Sequence, residues 1–219
     1  MNQGRFLEAH SMTRQILDYD PENLRLKQIF GLSLSKSGAF KAAQEYLENL
    51  HQKNPDDAET AGILGSVYKE LLKITQNPKY AFNSRDVYLE NFNKTQSYYT
   101  GINAASMSVI GGAVRKGREI ANQIIEILDE NPEDFWEVAT LGEAHLLAKN
   151  YEQSVKYYRQ AREMADNRWG WILSVSNQIS LLDHFIRIPR NIKSLFTPPG
   201  IIAFIGHMID HPDREEPRF

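Results

Sequence analysis

The densest candidate for chemistry is Gly112-Ala113-Val114-Arg115-Lys116-Gly117-Arg118-Glu119, which has the glycine spacing of a phosphate-binding loop. Such a loop needs backbone amides, a lysine and a metal-binding hydroxyl together, and here Arg-Glu stands where lysine and hydroxyl are required. It reads as a plain connection between helices. His207, Asp210 and His211 are spaced three and one apart, so on a helix they could converge on a metal ion, but Pro212 follows at once and further ligands are needed. His10, His51, His145 and His184 are scattered without the signature of a triad, and no nucleophile elbow occurs. These residues give no catalytic site, no bound metal and no cofactor, so the chain is read as a non-enzyme.

Composition narrows the partners. Among 219 residues, 25 Lys and Arg face 28 Asp and Glu, for a formal net charge of -3. The charges are interspersed, so the basic groove that nucleic acid requires is missing, and Tyr98, Tyr99, Trp136, Tyr151, Tyr157, Tyr158, Trp169 and Trp171 read mostly as core rather than as base-stacking platforms. Absence of cysteine removes thiol chemistry and favours an intracellular setting. No stretch approaches membrane-spanning length, which leads to the expectation of a cytoplasmic protein with no membrane partner.

The elements that position these residues follow from a period. Pro21 and Pro55, Gly4 and Gly38, Ala9 and Ala43, and Gly31 and Gly65 are each 34 apart. Asp20-Pro21-Glu22-Asn23, Asn54-Pro55-Asp56-Asp57 and Asn131-Pro132-Glu133-Asp134 each read as a helix start, with capping side chains, acids, and a proline suited to the first turn. A glycine follows each proline ten positions later, at Gly31, Gly65 and Gly142, where a missing side chain admits a paired helix. From Pro55 to Pro132 is 77 positions, two periods plus nine, so the register slips between them. The pattern predicts helices over 5–18, 23–37, 40–53, 57–73, 84–94, 97–110, 115–130, 134–148, 151–165 and 169–186, with a long connection around 74–84. The opening helix reads as the second half of a repeat.

Gly31, Gly38, Ala43, Pro55, Leu64, Gly65 and Tyr68, with Leu141-Gly142, Tyr157-Tyr158 and Ala161, resemble the tetratricopeptide consensus. The segments Tyr98 to Met107 and Asp134 to Ala161 further resemble the TRAFs-binding region of apoptosis signal-regulating MAP kinase kinase kinases and its bacterial relatives. The resemblance implies an all-α fold, a right-handed α-solenoid of about five helix pairs over 1–188, the first pair incomplete, with a short C-terminal extended segment. Residues 189–219 are then a linker and the start of a following domain, Ile201 to Ile205 reading as a strand without a sheet, the alternative being a tail that packs along the last helices. Kinase activity is not implied, because the kinase domain is absent.

The implied function is a protein-interaction scaffold or regulatory module of a cytoplasmic signalling protein, gripping a peptide or partner protein on its concave face. Weak self-association through exposed terminal repeats is a further expectation. Counting from the consensus, that face takes Arg25, Gln28, Leu32 and Lys36, then Glu59, Gly62, Ser66 and Lys69. Thr95, Tyr98, Ile102 and Ala105 follow, then Trp136, Ala139, Glu143 and Leu146. Arg25, Gln28, Lys36, Lys69, Tyr98, Ile102, Trp136 and Glu143 are the candidate protein-binding residues. The alternative is the regulatory arm of an enzyme or nucleotide sensor whose active domain begins near residue 201.

Overall fold

A computed structural model describes residues 5–197, 202–204 and 208–210. Each repeat boundary starts a helix through its last residue rather than its proline. Asn23 accepts from the Leu26 amide at 3.0 Å, Asp57 from Thr60 at 2.7 Å, and Asp134 from Trp136 at 2.8 Å. Pro21 and Pro55 lie in the preceding turn, where the conformation imposed on the residue before a proline helps end the previous helix. These caps open α2 (Leu24–Lys36), α4 (Ala58–Thr75) and α8 (Phe135–Leu147). Between and around them run α1 (Phe6–Leu17), α3 (Phe40–Lys53), α5 (Lys79–Thr95), α6 (Tyr98–Ile110), α7 (Val114–Ile127), α9 (Tyr151–Ala165), α10 (Trp169–Asp183) and α11 (Arg190–Lys193).

The long connection expected over 74–84 is absent. Gln76 takes a left-handed conformation, φ 54°, and closes α4, after which Asn77 Oδ1 accepts from the Lys79 amide at 3.0 Å and α5 begins at once. The extra residues lengthen helices instead: α4 and α5 have 18 and 17 residues, against 13 and 14 for α2 and α3.

Packing follows the glycines. A side chain on Gly31, Gly65, Gly101 or Gly142 would collide with Leu47, Tyr88, Ile124 or Tyr158 respectively, each from the second helix of the same pair. In two pairs a serine adds a hydrogen bond to that glycine's carbonyl, Ser84 to Gly65 at 2.9 Å and Ser154 to Gly142 at 2.8 Å. Glycine therefore sets the closeness of each pair, and the second helix supplies the filling side chain.

The first helices α2, α4, α6 and α8 touch one another in succession, while the second helices α3, α5, α7 and α9 meet each other little. A stack closer on one side than the other must curve, and its inner layer is made of the first helices. The architecture is the expected all-α solenoid. Ile188, Ile192 and Phe196 are buried, so α11 and the 3-10 turn Ser194–Phe196 pack on α9 and α10 where a partner helix for α10 would lie. Within the segment read as a linker, Ile192 and Phe196 thus join the core while Arg190, Asn191, Lys193, Ser194 and Thr197 stay exposed. β1 (Ile202–Phe204) pairs antiparallel with β2 (Met208–Asp210), which gives the expected lone strand a partner.

Candidate functional site

The inner layer carries two ladders of polar side chains that join successive first helices. The first begins at the helix starts, where Arg25 Nη1 lies 2.9 Å from Glu59 Oε1, 34 residues on, and 3.2 Å from Gln28 Oε1. Gln28 is buried, its Nε2 donating to Asp57 Oδ1 at 2.7 Å and Thr60 Oγ1 at 3.1 Å. It joins α2 to the cap of α4 and has little left to offer a partner. Arg25, Glu59 and Lys36 are exposed.

Tyr99 continues the row. Its ring lies over Gly62, where a Cβ would stand 2.3 Å from the ring edge, and its hydroxyl end is tucked against α4. The residue keeps 40% of its surface exposed, but loss of water at its hydroxyl end, with the Glu59 carboxylate as a second influence, pushes the hydroxyl upward. Farther along, Trp171 stacks on Phe135 at 4.5 Å, Trp136 tilts against Trp171 at 5.8 Å and Arg168 covers the Trp171 ring at 4.2 Å. Trp136 keeps 41% of its surface exposed.

The second ladder crosses the middle of the inner layer. Lys69 Nζ donates to Asn103 Oδ1 at 3.2 Å and to Gln178 Oε1 at 2.7 Å, so α4 reaches α10 across 109 residues of sequence. Gln178 Nε2 donates to Glu143 Oε1 at 2.7 Å, and the Ser106 hydroxyl donates to the same oxygen. Asn103 Nδ2 donates to the Tyr99 carbonyl at 2.8 Å, which leaves Asn103 Oδ1 aimed at Lys69. Lys69, Asn103, Glu143 and Gln178 are all half-buried. Four first helices thus converge on one polar cluster.

In the third pair the face is one residue out of the expected register. Ile102 and Ala105 lie in the core, 5% and 0% exposed, and Tyr98 is half-buried against it. Tyr99, Asn103 and Ser106 take the inner positions in their place. One residue on a helix is about 100° of rotation, enough to exchange core for face. At Gly101 α6 packs against both Phe92 of α5 and Ile124 of α7, and in the fourth pair the expected face positions Ala139 and Leu146 likewise lie in the core. Asn103 and Gln178, missed in the sequence, follow Lys69 and Glu143 by 34 and 35 residues, a repeat-interval signal that would have found them.

The other candidates disperse. The glycine-rich segment forms a turn at Gly112, φ 86°, and then enters α7, with Arg115 paired to Glu119 at 3.1 Å. His10 stacks on Phe30 and His145 on Tyr157, each as a packing side chain. Among the described residues no group of three metal-ligating side chains is close enough to hold an ion, and no helix is long and apolar enough to cross a membrane. His207 and His211 lie outside the described residues.

Charge in the central cluster is costly. Loss of water around the Lys69 ammonium pushes it down to about 8, with Glu143 opposing that shift and Lys73 adding to it. Burial likewise raises the Glu143 carboxyl, against the pull of Ser106, Gln178 and Lys69. An unfolded lysine titrates near 10.4, so between about pH 8 and 10 the unfolded chain binds the extra proton and this site's contribution to stability rises with pH. The unfolding free energy of the parent relative to Lys69→Met should therefore increase from about pH 7.5 to 9.5 in urea melts. A difference that stays flat would contradict the burial of this ammonium.

A family model described as Tetratricopeptide Repeats-Sensor matches residues 5–108, a little under half of the chain. No curated protein matches the chain in sequence. Among solved structures, a thermophilic tetratricopeptide repeat protein from Thermus thermophilus superposes with a TM-score of 0.62 at 14% identity, covering 81% of this chain and 92% of that one. A tetratricopeptide repeat protein from Parabacteroides merdae superposes at 0.51 with 10% identity, covering 88% of this chain and 78% of the other. With glycine-spaced helix pairs stacked around an inner layer of first helices, the chain is in fold a tetratricopeptide-type repeat protein.

Proposed function

We propose that this chain is a protein-interaction module whose inner face binds a peptide segment of a partner, within a cytoplasmic regulatory or signalling protein. The observation that supports this reading is the set of polar and aromatic side chains that α2, α4, α6 and α8 bring to the inner layer: Arg25, Glu59, Tyr99, Lys69, Glu143 and Trp136. A solenoid offers such a face as its extended binding surface, and aromatic and arginine side chains with polar surrounds suit a protein partner. The resemblance to the TRAFs-binding region favours a regulatory role. The sensor in the matching family's description favours a second form of it, in which the repeats are the arm through which an attached domain responds.

A photo-crosslinking amino acid at Tyr99 or Trp136 tests the reading against the same residue at Glu126 or Glu152, which are exposed on the second helices α7 and α9. In cells of the source organism, a discrete adduct is expected from the inner positions and not from the outer ones. Adducts confined to Glu126 and Glu152 would move the partner to the outer face and overturn it.

A further inference from the structure

The central cluster has the form of a receptor for an amide, and Gln178 fills it. Lys69 and Glu143 carry opposite charge, yet they do not pair directly. The Gln178 carboxamide lies between them, its oxygen accepting from Lys69 at 2.7 Å and its nitrogen donating to Glu143 at 2.7 Å. Only one orientation of the amide satisfies both neighbours, because an ammonium cannot accept and an ionised carboxylate cannot donate. Asn103 steadies the lysine and Ser106 steadies the carboxylate, so the two ends of the receptor are held by α6.

The occupant comes from a different helix, α10, than the groups that hold it. α10 lies against α9 over a much shorter stretch than the other second helices lie against the first helix that follows them. Lys69, Asn103, Ser106 and Glu143 belong instead to the continuously packed α4, α6 and α8. A receptor on three continuously packed helices, filled by a side chain from a helix that lies against its predecessor over a shorter stretch, is an arrangement in which the tethered group can be exchanged for an external one of the same chemistry.

The geometry points to Lys69 and Glu143 as a carboxamide-binding site on the inner face, occupied in the free protein by Gln178 and taken over by an amide of the bound peptide. This rests on the peptide-binding reading above and adds the group recognised. The ligand must accept from Lys69 and donate to Glu143 through one amide, which a glutamine or asparagine side chain and a main-chain peptide unit can both do. A free carboxylate cannot donate, and an ammonium cannot accept.

The test uses the full chain, labelled with nitrogen-15, and three probes: propionamide for a side-chain carboxamide, N-methylacetamide for a main-chain amide, and N,N-dimethylpropionamide, which accepts but has no N–H. Saturable shifts at Asn103, Ser106 and Glu143 are expected with at least one of the first two probes and not with the third. The stronger of the two identifies side chain or main chain as the source. Removing the competing occupant in Gln178→Ala should tighten the response by about tenfold. In the unaltered chain the Gln178 side-chain amide signal should move toward its solvent position as the probe saturates, a readout that needs no variant. If Gln178→Ala fails to fold, Gln178→Met restores volume without restoring the amide.

No saturable response in either protein, an equal response to the dimethylated probe, or equal affinity with and without Gln178 would overturn the assignment. Crosslinking at Tyr99 or Trp136 reports peptide binding without reference to amide recognition. A failed amide site and a failed inner-face reading therefore give different results.

Discussion

Valine in place of Gly65 is expected to destabilise the protein by about 3 kcal/mol, close to unfolding a marginal domain. A Cβ at this position would stand 2.4 Å from the Tyr88 ring. Tyr88 is only 1% exposed and donates through its hydroxyl to the Gly62 carbonyl at 3.1 Å, so the ring cannot withdraw without losing that bond inside the core. Overpacking contributes about 2 kcal/mol and the buried Tyr88 hydroxyl left without its acceptor about 1. Gly65→Ala should cost less, because alanine recovers about 1 kcal/mol of helix propensity. Gly170, with nothing within 4 Å of its Cβ position, is the matched control, and Gly170→Ala should be neutral or stabilising by about 0.5 kcal/mol. Urea melts of the three variants decide the matter: equal stability of Gly65→Val and Gly170→Ala would remove glycine as the spacer of the helix pair.

Phe196→Ala should cost about 4 kcal/mol, at the upper part of the range for emptying an aromatic site. Phe196 is fully buried, edge-on to the Tyr158 ring at 5.6 Å, and with Ile192 it closes the end of the core over α9 and α10. Because a solenoid transmits stability from neighbour to neighbour, the loss should be local. Native-state hydrogen exchange should accelerate in α10 and the end of α9 while the amides of α3 keep their protection. Uniform acceleration along the chain would show that the terminal segment is not a local cap.

The fold was legible because its devices are short-range. Asn23, Asp57 and Asp134 cap helices whatever lies beyond them, and Gly31, Gly65 and Gly142 recur at the depth where helices meet. The part misread locally was the junction at Pro78, where a left-handed Gln76 and an Asn77 side chain turn the chain within three residues and leave no loop. The extra residues of the second pair entered helices, which the spacing of prolines cannot distinguish from insertions in loops.

The site was half legible for a different reason. Arg25, Glu59, Lys69 and Glu143 lie on the inner layer where phase places them, although Ala139 and Leu146, expected on the same face as Glu143, are buried in the core. Tyr99 and Asn103 were missed because phase was counted from Gly101, whereas the 34-residue interval from Lys69 leads to Asn103. Gln178 was missed because α10 has no glycine in phase to mark it, and its role exists only where the solenoid curves far enough to bring α10 to Lys69.

That approach of α4 to α10 underlies both the shared inner face and the amide site, and a double-mutant cycle between Lys69→Met and Gln178→Leu measures it directly. Urea unfolding of the parent, both single variants and the double variant should give a coupling energy of about 1 kcal/mol or more, as for a hydrogen bond to a charged group. Strict additivity of the two substitutions would contradict the contact, and with it the single inner face that these helices are held to form.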